Sequence, residues 1–425
     1  MISFIHLSDI HFTQNSGDKY DVDDDLRNEI KLDIKHHFLK NIINPQGILI
    51  CGDIAFSGQK KEYDVASNFI NNICNIINIS KSSVFCVPGN HDVDQSIPKK
   101  QPEVKAMQDS LASCKTLHEY NNKLSDIFRA ESSAEIIYRP VDNYNSFSEQ
   151  YNCNLSASKY NWKQQIGITD IYKLCILGLN STIISNADDH ATDSERLMKM
   201  SDFQVPQRED NTIFLTLCHH PPECWDDPEK SLQNKFNSRI HLQLYGHKHI
   251  QTIQNSEKTV IIGSGAMHPS RFETDWIPRY NWITLDVVAE DNVDYLIIQV
   301  YPRVYNEKSS SFEPDYNIVN DEIYIEFKLL LGNTQKNTNN MKTVKDVYSS
   351  EDNVIKSSIE WSKRFIYDFI NLPEVCRNKV LRNLNLYQDE FDNQPHTAIL
   401  ADVIKMAEEQ QLIDKLIEEV NKYKQ

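Results

Sequence analysis

Five short polar motifs between Asp9 and His249 constrain the fold of this chain more than any other feature of its sequence. Each motif directly follows a short apolar run that is rich in β-forming residues. Such runs are typical of buried strands in a sheet that is covered on both faces. The polar residues therefore come where strands end, and we expect them to meet at one edge of the fold. The motifs are Asp9-Ile10-His11, Gly52-Asp53, Gly89-Asn90-His91-Asp92, His219-His220-Pro221-Pro222 and Gly246-His247-Lys248-His249.

Other segments complete this coarse prediction of secondary structure. The stretch from Asp24 to Ile43 has apolar residues at helical spacing and predicts a helix. Its His36-His37 pair, like His241 and His268, matches no motif, so we expect no metal role for these histidines. The predicted strands cover Ile2–Leu7, Ile48–Cys51, Val84–Val87, Ile213–Cys218 and Ile240–Tyr245.

The motifs offer carboxylate, imidazole and amide oxygen donors but no thiolate. Such a set suits manganese, iron or zinc and leaves positions open for water and phosphate. Two divalent charges lower the pKa of a shared water, so a bridging hydroxide can exist near neutral pH and attack phosphorus. The residues therefore predict a phosphoesterase with two divalent metal ions. Manganese is the metal that we expect, with iron or zinc as alternatives.

The ordered set of motifs resembles the calcineurin-like metallophosphoesterases over residues 1–331. The resemblance implies an α+β fold, a four-layer α/β/β/α sandwich that holds two metals about 3.5–4 Å apart. It implies that Asp53 bridges the two ions. It further implies that one metal is bound by Asp9, His11, Asp53 and His249, and the other by Asp53, Asn90, His219 and His247.

His91 is expected to act differently, because the neighbouring Asn90 takes the metal and leaves the imidazole facing the substrate. By the resemblance, His91 protonates the leaving oxygen or stabilises the charge of the transition state. General acid help of this kind is worth on the order of 10²–10⁴ in rate. Asp92 is expected to accept a hydrogen bond from the other ring nitrogen and to fix the tautomer. The alternative is that Asp92 only caps a following helix.

His219 and His220 cannot be separated by chemistry alone, because adjacent strand residues point to opposite faces. The first histidine of this pair is the ligand in the family, so the resemblance selects His219. It leaves His220 on the substrate side or behind the ligands. Gly52, Gly89 and Gly246 each precede a ligand, where a missing Cβ lets the backbone turn sharply.

Composition narrows the possible functions. At 425 residues the chain is too long for one ordinary domain. The net charge of −17 argues against a protein that coats nucleic acid, because phosphate contacts need clustered lysine and arginine. Nine cysteines without a C-x-x-C spacing predict a reducing cytoplasm. The sequence begins without a signal peptide and has no apolar run of about 18 residues, so no membrane contact is expected.

The catalytic domain is predicted to carry an insertion at residues 93–171. The insertion contains polar helical stretches around Val104–Leu124 and a tyrosine-rich segment, Tyr138–Tyr151. One interpretation is a lid or a wall of the substrate site whose aromatic residues stack a base. The other is a solvated helical elaboration that the tyrosines pack down.

A second domain is predicted after the strand-like segment Glu322–Leu330. The polar tract that follows has no periodicity and predicts a flexible linker at residues 332–351. From residue 352 to residue 425 apolar residues return at helical spacing, and Pro373 stands where a helix would start. We therefore predict a small all-α bundle here. It carries no sequence signal of catalysis, so we expect it to bind a partner.

Four segments of this predicted bundle resemble the effector-associated, death-domain-like adaptor modules of bacterial conflict systems. Such modules pair with a like module on a partner and bring an effector enzyme to a sensor. The alternative is a helical bundle that forms a homo-oligomer or packs on the catalytic domain. The segments are Phe369–Arg377, Leu384–Leu386, Ala401–Ala407 and Leu412–Val420.

Two classes of function follow from the sequence. The leading hypothesis is a phosphodiesterase that destroys a nucleotide or nucleic acid as a recruited effector in bacterial defence. A housekeeping hydrolase of cyclic nucleotides or small diesters would share every motif. A catalytically silent scaffold is the other class, and the complete ligand set argues against it. The acidic charge favours nucleotides or short single strands over duplexes.

Overall fold

A computed structural model gives the structure of the protein. It describes residues 1–19, 21, 23–42, 44–190, 196–268, 277–333, 369, 374–387, 403, 406–407, 410 and 412–422. The chain divides into two compact units, Met1–Lys336 and Asn337–Gln425. None of the described helices combines the length and apolar character that a membrane-spanning helix needs.

Two mixed β-sheets form the centre of the first unit. The strands are β1 (Ile2–Leu7), β2 (Pro45–Ile50), β3 (Val84–Cys86), β4 (Trp162–Gly167), β5 (Lys173–Gly178), β6 (Thr212–Cys218), β7 (Leu242–Tyr245), β8 (Thr252–Asn255), β9 (Val260–Gly263), β10 (Arg279–Glu290), β11 (Val293–Asn306), β12 (Ser311–Pro314) and β13 (Ile325–Asn333). The first sheet has the order β12-β11-β10-β1-β2-β3, with β13 also paired to β11, and the second has the order β4-β5-β6-β7-β9-β8.

Helices accompany these sheets. The helix Lys60–Ile76 begins with a capping box in which Gln59 and Glu62 each satisfy a backbone N–H of the other. Its apolar residues recur every three to four positions and are buried. The other helices of this unit are Asp24–Asn41, Ser96–Lys100, Pro102–Ala112, Leu117–Arg129, Glu131–Tyr138, Asp142–Ser148, Ser231–Arg239 and Tyr316–Val319.

The side chains of β6 alternate between two apolar cores. Leu215 belongs to the core that also holds Ile5 and Ile50 of the first sheet, so this face of the second sheet packs toward the first. Phe214 points the other way and packs with Phe236 of the helix Ser231–Arg239. A period of two residues along a strand produces this division. The arrangement of helices and two packed sheets confirms the predicted α+β class.

The insertion predicted at residues 93–171 is helical up to residue 151 and ends with strand β4, and the tyrosines of the segment Tyr138–Tyr151 are buried. Tyr138, Tyr144 and Tyr151 are 6%, 0% and 1% exposed. Tyr144 donates a hydrogen bond to the carbonyl oxygen of Cys86 at 2.9 Å and so ties the insertion to β3. The idea that these tyrosines stack a substrate base was therefore wrong. They pack the insertion down, as the alternative interpretation held.

The second unit contains the helices Glu374–Asn383 and Ile413–Asn421. Val380, Leu386 and Leu416 are among the buried residues of its own apolar cluster. The helix Glu374–Asn383 begins directly after Pro373, as the sequence predicts. The predicted bundle and the domain boundaries at residues 331 and 352 stay predictions. The predicted linker lies outside the described residues from residue 334 onward.

Candidate metal centre

The polar motifs lie at the carboxyl ends of strands from both sheets. In the first sheet, Asp9 follows β1, Asp53 follows β2 and Asn90 follows β3, and these strands run parallel. In the second sheet, His219 follows β6 and His247 follows β7, which are also parallel. Carboxyl ends of parallel strands lie on one edge of a sheet. Each sheet therefore presents its polar loops at a single edge, and the distances below show that the loops meet.

One group of candidate ligands contains Asp9, His11 and His249, whose ligand atoms all lie within 4.8 Å of one another. Asp9 Oδ1 is 3.4 Å from His249 Nε2. The Nε2 atoms of His11 and His249 face each other at 3.4 Å. Burial lowers the pKa of His11 to about 3, so its imidazole is neutral and offers a lone pair.

A second group surrounds the amide of Asn90. Its Oδ1 lies 3.0 Å from His219 Nε2 and 3.1 Å from His247 Nδ1. His219 Nε2 is also 3.3 Å from Asp53 Oδ2. On its other side, His219 Nδ1 donates to the carbonyl oxygen of Cys51 at 2.8 Å. That bond turns Nε2 toward Asn90 and Asp53, an arrangement common to metal-ligating histidines.

Asp53 lies between the two groups. A carboxylate oxygen of Asp53 lies within 4.8 Å of the ligand atoms of Asp9 and His219. Asp53 also lies within 4.8 Å of the ligand atoms of His11 and His91. Burial acts to raise the pKa of Asp53, but the imidazoles of His219 and His91 outweigh it and hold the pKa well below its usual range. Burial acts to lower the pKa of His219, yet the Asp53 and Asp9 carboxylates raise it to about 9. A cation is therefore favoured here, and the donor set fits divalent metal ions.

Most of the candidate ligands adopt a left-handed backbone conformation, which residues other than glycine rarely take. The φ angle is +54° at Asp9, +53° at His11, +50° at Asp53, +73° at His247 and +56° at His249. Each such residue costs about 1–3 kcal/mol and persists only where its surroundings fix it. Here the N–H of His11 donates to the carbonyl oxygen of Asp53 at 2.9 Å. The N–H of His247 lies 3.2 Å from both carboxylate oxygens of Asp9.

A family model of the calcineurin-like phosphoesterases matches residues 2–251 of this sequence. The chain belongs to the calcineurin-like phosphoesterase family. A second model, the GTPase-associated adaptor domain, matches residues 363–422 and confirms the predicted adaptor module in this part of the chain. Family membership also supports the prediction of a hydrolase that uses divalent metals.

Three similar proteins share between 11% and 21% sequence identity with this chain. YydB of Bacillus subtilis (strain 168), described as an uncharacterized metallophosphoesterase-like protein, is 21% identical over 405 residues, which cover 92% of this chain and 75% of that protein. GAP50, the anchor in the inner membrane complex of Plasmodium, has 11% identity and a TM-score of 0.38, covering 79% of this chain and 90% of that chain. A putative 5′-nucleotidase from Staphylococcus aureus has 12% identity and a TM-score of 0.30, covering 84% and 58%.

Asp92 does not hold His91 in this phosphoesterase, contrary to the sequence-based expectation. Its carboxylate accepts hydrogen bonds from the backbone N–H groups of Ala55 at 2.9 Å and Gly89 at 2.9 Å, and from Tyr63 Oη at 2.9 Å. These bonds clamp the loop after β2 to the loop after β3. Burial and the nearby Asp53 charge raise the pKa of Asp92 to about 6. Asp92 supports the two ligand loops instead of orienting the imidazole.

The main chain of Phe56 takes the place expected for Asp92. His91 Nδ1 lies 2.8 Å from the carbonyl oxygen of Phe56. Because a carbonyl oxygen only accepts, His91 carries a proton on Nδ1, and this leaves Nε2 for the substrate. Sequence reasoning missed Phe56 because a backbone carbonyl has no signature. The available signal in the sequence was the segment from Asp53 to Tyr63. It contains Phe56, the partner of His91, and Tyr63, a partner of Asp92.

His219 and His220 have different polar partners in the structure. His219 belongs to two groups of candidate ligands, one with Asp9 and Asp53 and the other with His220 and His247. His220 is also within the latter group, but its Nδ1 lies 2.7 Å from Ser181 Oγ. The Nδ1 atom of His220 is therefore engaged by Ser181, and the choice of His219 as the ligand of this pair stays a prediction.

The remaining histidines have other surroundings. His37 packs against Tyr301 with ring centroids 5.4 Å apart. His241 Nδ1 accepts a hydrogen bond from the N–H of Phe214 at 3.1 Å. His268 Nε2 lies 3.0 Å from a carboxylate oxygen of Asp23. The expectation that these three histidines bind no metal stays a prediction.

A cavity of about 210 Å³ opens beside the Asn90 group. Arg196, in its wall, forms an ion pair with Asp189. Gln108 of the insertion donates to the carbonyl oxygen of Ser185 at 3.0 Å and thereby supports this wall from behind. The insertion therefore supports the segment beside the cavity without lining the cavity itself. The lining residues are Asn90, Asp189, Arg196, Leu197, Met198, His220, Glu223, Cys224, His247 and Lys248.

Proposed function

We propose that this chain is a phosphodiesterase that uses two divalent metal ions and acts on nucleotide or nucleic-acid diesters. The observation that carries the proposal is the position of Asp53 between two groups of buried donors. A scaffold would have no need to place so many donors in strained backbone conformations. The geometry thus supports an enzyme over a silent scaffold.

The proposed ligands divide between two sites that share Asp53. When bound, the two ions would supply an activated water and would neutralise negative charge on the phosphate. Manganese is the proposed metal, with iron or zinc as alternatives. One site would use Asp9, His11, Asp53 and His249, and the other Asp53, Asn90, His219 and His247.

His91 is the proposed general acid. Its ring lies 4.8 Å from that of His11, centroid to centroid, so it stands against the first group of ligands. The Phe56 carbonyl holds Nδ1, and a protonated Nε2 can give its proton to the departing oxygen. Asp92, which was expected to share this task, is proposed only to fix the ligand loops.

The size of the cavity and the net charge of the chain both favour small or single-stranded substrates. The cavity next to Asn90 and His247 measures about 210 Å³, below the roughly 300–1,000 Å³ of typical ligand pockets, and this favours a small substrate group. A net charge of −17 gives little long-range attraction for a duplex. A hydrolase of small diesters, such as cyclic nucleotides, is therefore the second candidate.

The C-terminal unit is proposed to recruit a protein partner. The GTPase-associated adaptor model at residues 363–422 supports this role, and it favours a bacterial defence system over a housekeeping pathway. The eight cysteines described by the structure are all free and buried, which fits the proposed cytoplasmic location. A small-diester hydrolase of the housekeeping kind would have little need of such a module.

Hydrolysis of bis(p-nitrophenyl) phosphate with added Mn²⁺ tests the proposal. Asp53→Asn removes one ligand from both proposed sites and should abolish turnover while the fold remains. Asp170→Asn, a change at an exposed position, is the matched control and should keep full activity. Normal activity of Asp53→Asn would refute the proposed site. A panel of cyclic nucleotides and of single- and double-stranded DNA and RNA then separates the two candidate substrates.

A further inference from the structure

Phe56 is an exposed aromatic residue in a rigid position at the rim of the candidate metal centre. Its side chain is 52% exposed. Its backbone N–H donates to the carbonyl oxygen of Phe12 at 2.9 Å. The preceding Ala55 N–H is held by the Asp92 carboxylate at 2.9 Å. The loop that carries Phe56 is therefore held to the loop of Phe12 and to the loop of Asp92. The backbone of Phe56 is fixed by these bonds, and its ring faces solvent.

The ring of Phe56 lies against the residues that act on the substrate. Its centroid is 5.4 Å from the His91 ring with an interplanar angle of 36°, and 6.2 Å from the His11 ring with an angle of 73°. Single exposed apolar residues are ordinary on protein surfaces. Phe56 differs from these because its backbone is fixed and its ring contacts His91, the proposed general acid. A leaving group that takes a proton from His91 would therefore lie beside the Phe56 ring.

The metal centre thus has two distinct flanks. The cavity beside Asn90 and His247 lies on one, and neither Phe56 nor His91 is among its lining residues. His91 and Phe56 define the other flank. Since the general acid must stand beside the departing oxygen, the Phe56 flank is the leaving-group side.

We propose that Phe56 contacts the substrate and stacks on a planar group of its leaving side, a nucleobase in the natural substrate. The proposal rests on the proposed diesterase function and on the role of His91 as the acid. Aromatic side chains stack on bases without regard to sequence, because every base has a π face. Phe56 therefore selects for diesters whose leaving group carries a base, and it does so without reading base identity.

A set of three dinucleoside monophosphates tests this inference in the full-length protein with Mn²⁺. One substrate is intact, and each of the others lacks the base of one nucleoside. Chromatographic identification of the products shows which nucleoside is released free and which keeps the phosphate, and so identifies the leaving side. The variants are Phe56→Ala, Phe56→Trp and the control Phe203→Ala, which removes another exposed phenylalanine ring outside the site.

Phe56→Ala should lower kcat/KM by roughly ten- to hundred-fold when the leaving nucleoside carries its base. The loss should nearly vanish when that base is absent, and Phe56→Trp should restore activity. Melting temperature and metal content should match those of the unaltered protein. An equal loss on all three substrates would overturn the inference, because Phe56 would then act only by supporting His91. No loss on any substrate would overturn it as well.

Failure of the underlying function has a different signature. If the unaltered protein hydrolysed none of the dinucleotides and no bis-aryl phosphate, the proposed diesterase function would fall and the inference with it. Hydrolysis by the unaltered protein without any effect of Phe56→Ala would overturn only the role of Phe56.

Discussion

Gly89→Ala is a sharp test of the candidate metal centre, because it adds one methyl group beside Asp53 without changing any proposed ligand. A Cβ at position 89 would lie 2.1 Å from Asp53 Oδ1 and 2.6 Å from the Asp53 backbone nitrogen. Ordinary contacts begin near 3.4 Å. The Asp53 carboxylate would therefore have to move by more than about 1 Å, and overpacking of this kind costs about 1–3 kcal/mol of stability.

The displacement should cost far more in activity than in stability. Asp53 Oδ1 also accepts the backbone N–H of His91 at 2.8 Å, so moving it disturbs the proposed acid as well. A misplacement of about 1 Å at a reacting centre lowers rates by about 10²-fold. We expect kcat on bis(p-nitrophenyl) phosphate to fall by at least that factor. Bound metal, measured by elemental analysis, should fall with it.

Gly167→Ala is the matched control. Gly167 ends β4, and a Cβ there would meet no atom within 4 Å. This variant should keep the activity, metal content and melting temperature of the unaltered protein. If Gly89→Ala also kept its activity and metal, Asp53 would not be held where we describe it, and the assignment of a shared ligand would be refuted.

Three further outcomes are expected. His91→Ala should lower kcat on nucleotide diesters by about 10²–10⁴-fold. The loss should be much smaller on p-nitrophenyl esters, because their leaving group departs without a proton. Equal losses on both substrates would refute the acid role. Burial lowers the pKa of His37 to about 4, so protonation favours the unfolded state, and up to about 3 kcal/mol of stability should be lost as the pH falls from 6.5 to 4. His37→Asn should flatten this dependence in urea titrations, whereas the same change at the exposed His36 should not. In the metal-free protein, His249→Gly should be more stable than His249→Ala by about 1 kcal/mol, and the order should reverse at His219, whose φ is not left-handed.

The sequence predicted the positions of the main strands and of the polar motifs that follow them, because both depend on local patterns. The strand Ile2–Leu7 has the predicted bounds, and the helix predicted for Asp24–Ile43 covers Asp24–Asn41. Apolar runs that end in polar residues are set by burial, which composition along the chain reveals directly. Asp9 and His249 follow strands of two different sheets, and their proximity was expected from the resemblance to the family, which assigns both residues to one metal.

Other features depend on tertiary contacts that leave no local pattern. The role of Asp92 in clamping Ala55 and Gly89 could not be predicted, because its partners are backbone N–H groups of two separate loops. The contact between the Phe56 carbonyl oxygen and His91 likewise has no local sequence pattern that predicts it. The tyrosines of the insertion were ambiguous, since burial and base stacking favour the same residue type.

The left-handed ligands show why the site resists prediction from local propensity. At Asp9, Asp53 and His249 the preferred backbone conformation of an isolated residue opposes the one that the fold imposes. The fold can impose it because hydrogen bonds such as that from His11 N–H to the Asp53 carbonyl oxygen leave the loops no alternative. The strain is thus carried by the packed sheets, and it turns the donor atoms inward at the strand ends. The same backbone geometry therefore lowers the stability of the loops and positions the donor atoms for the metals.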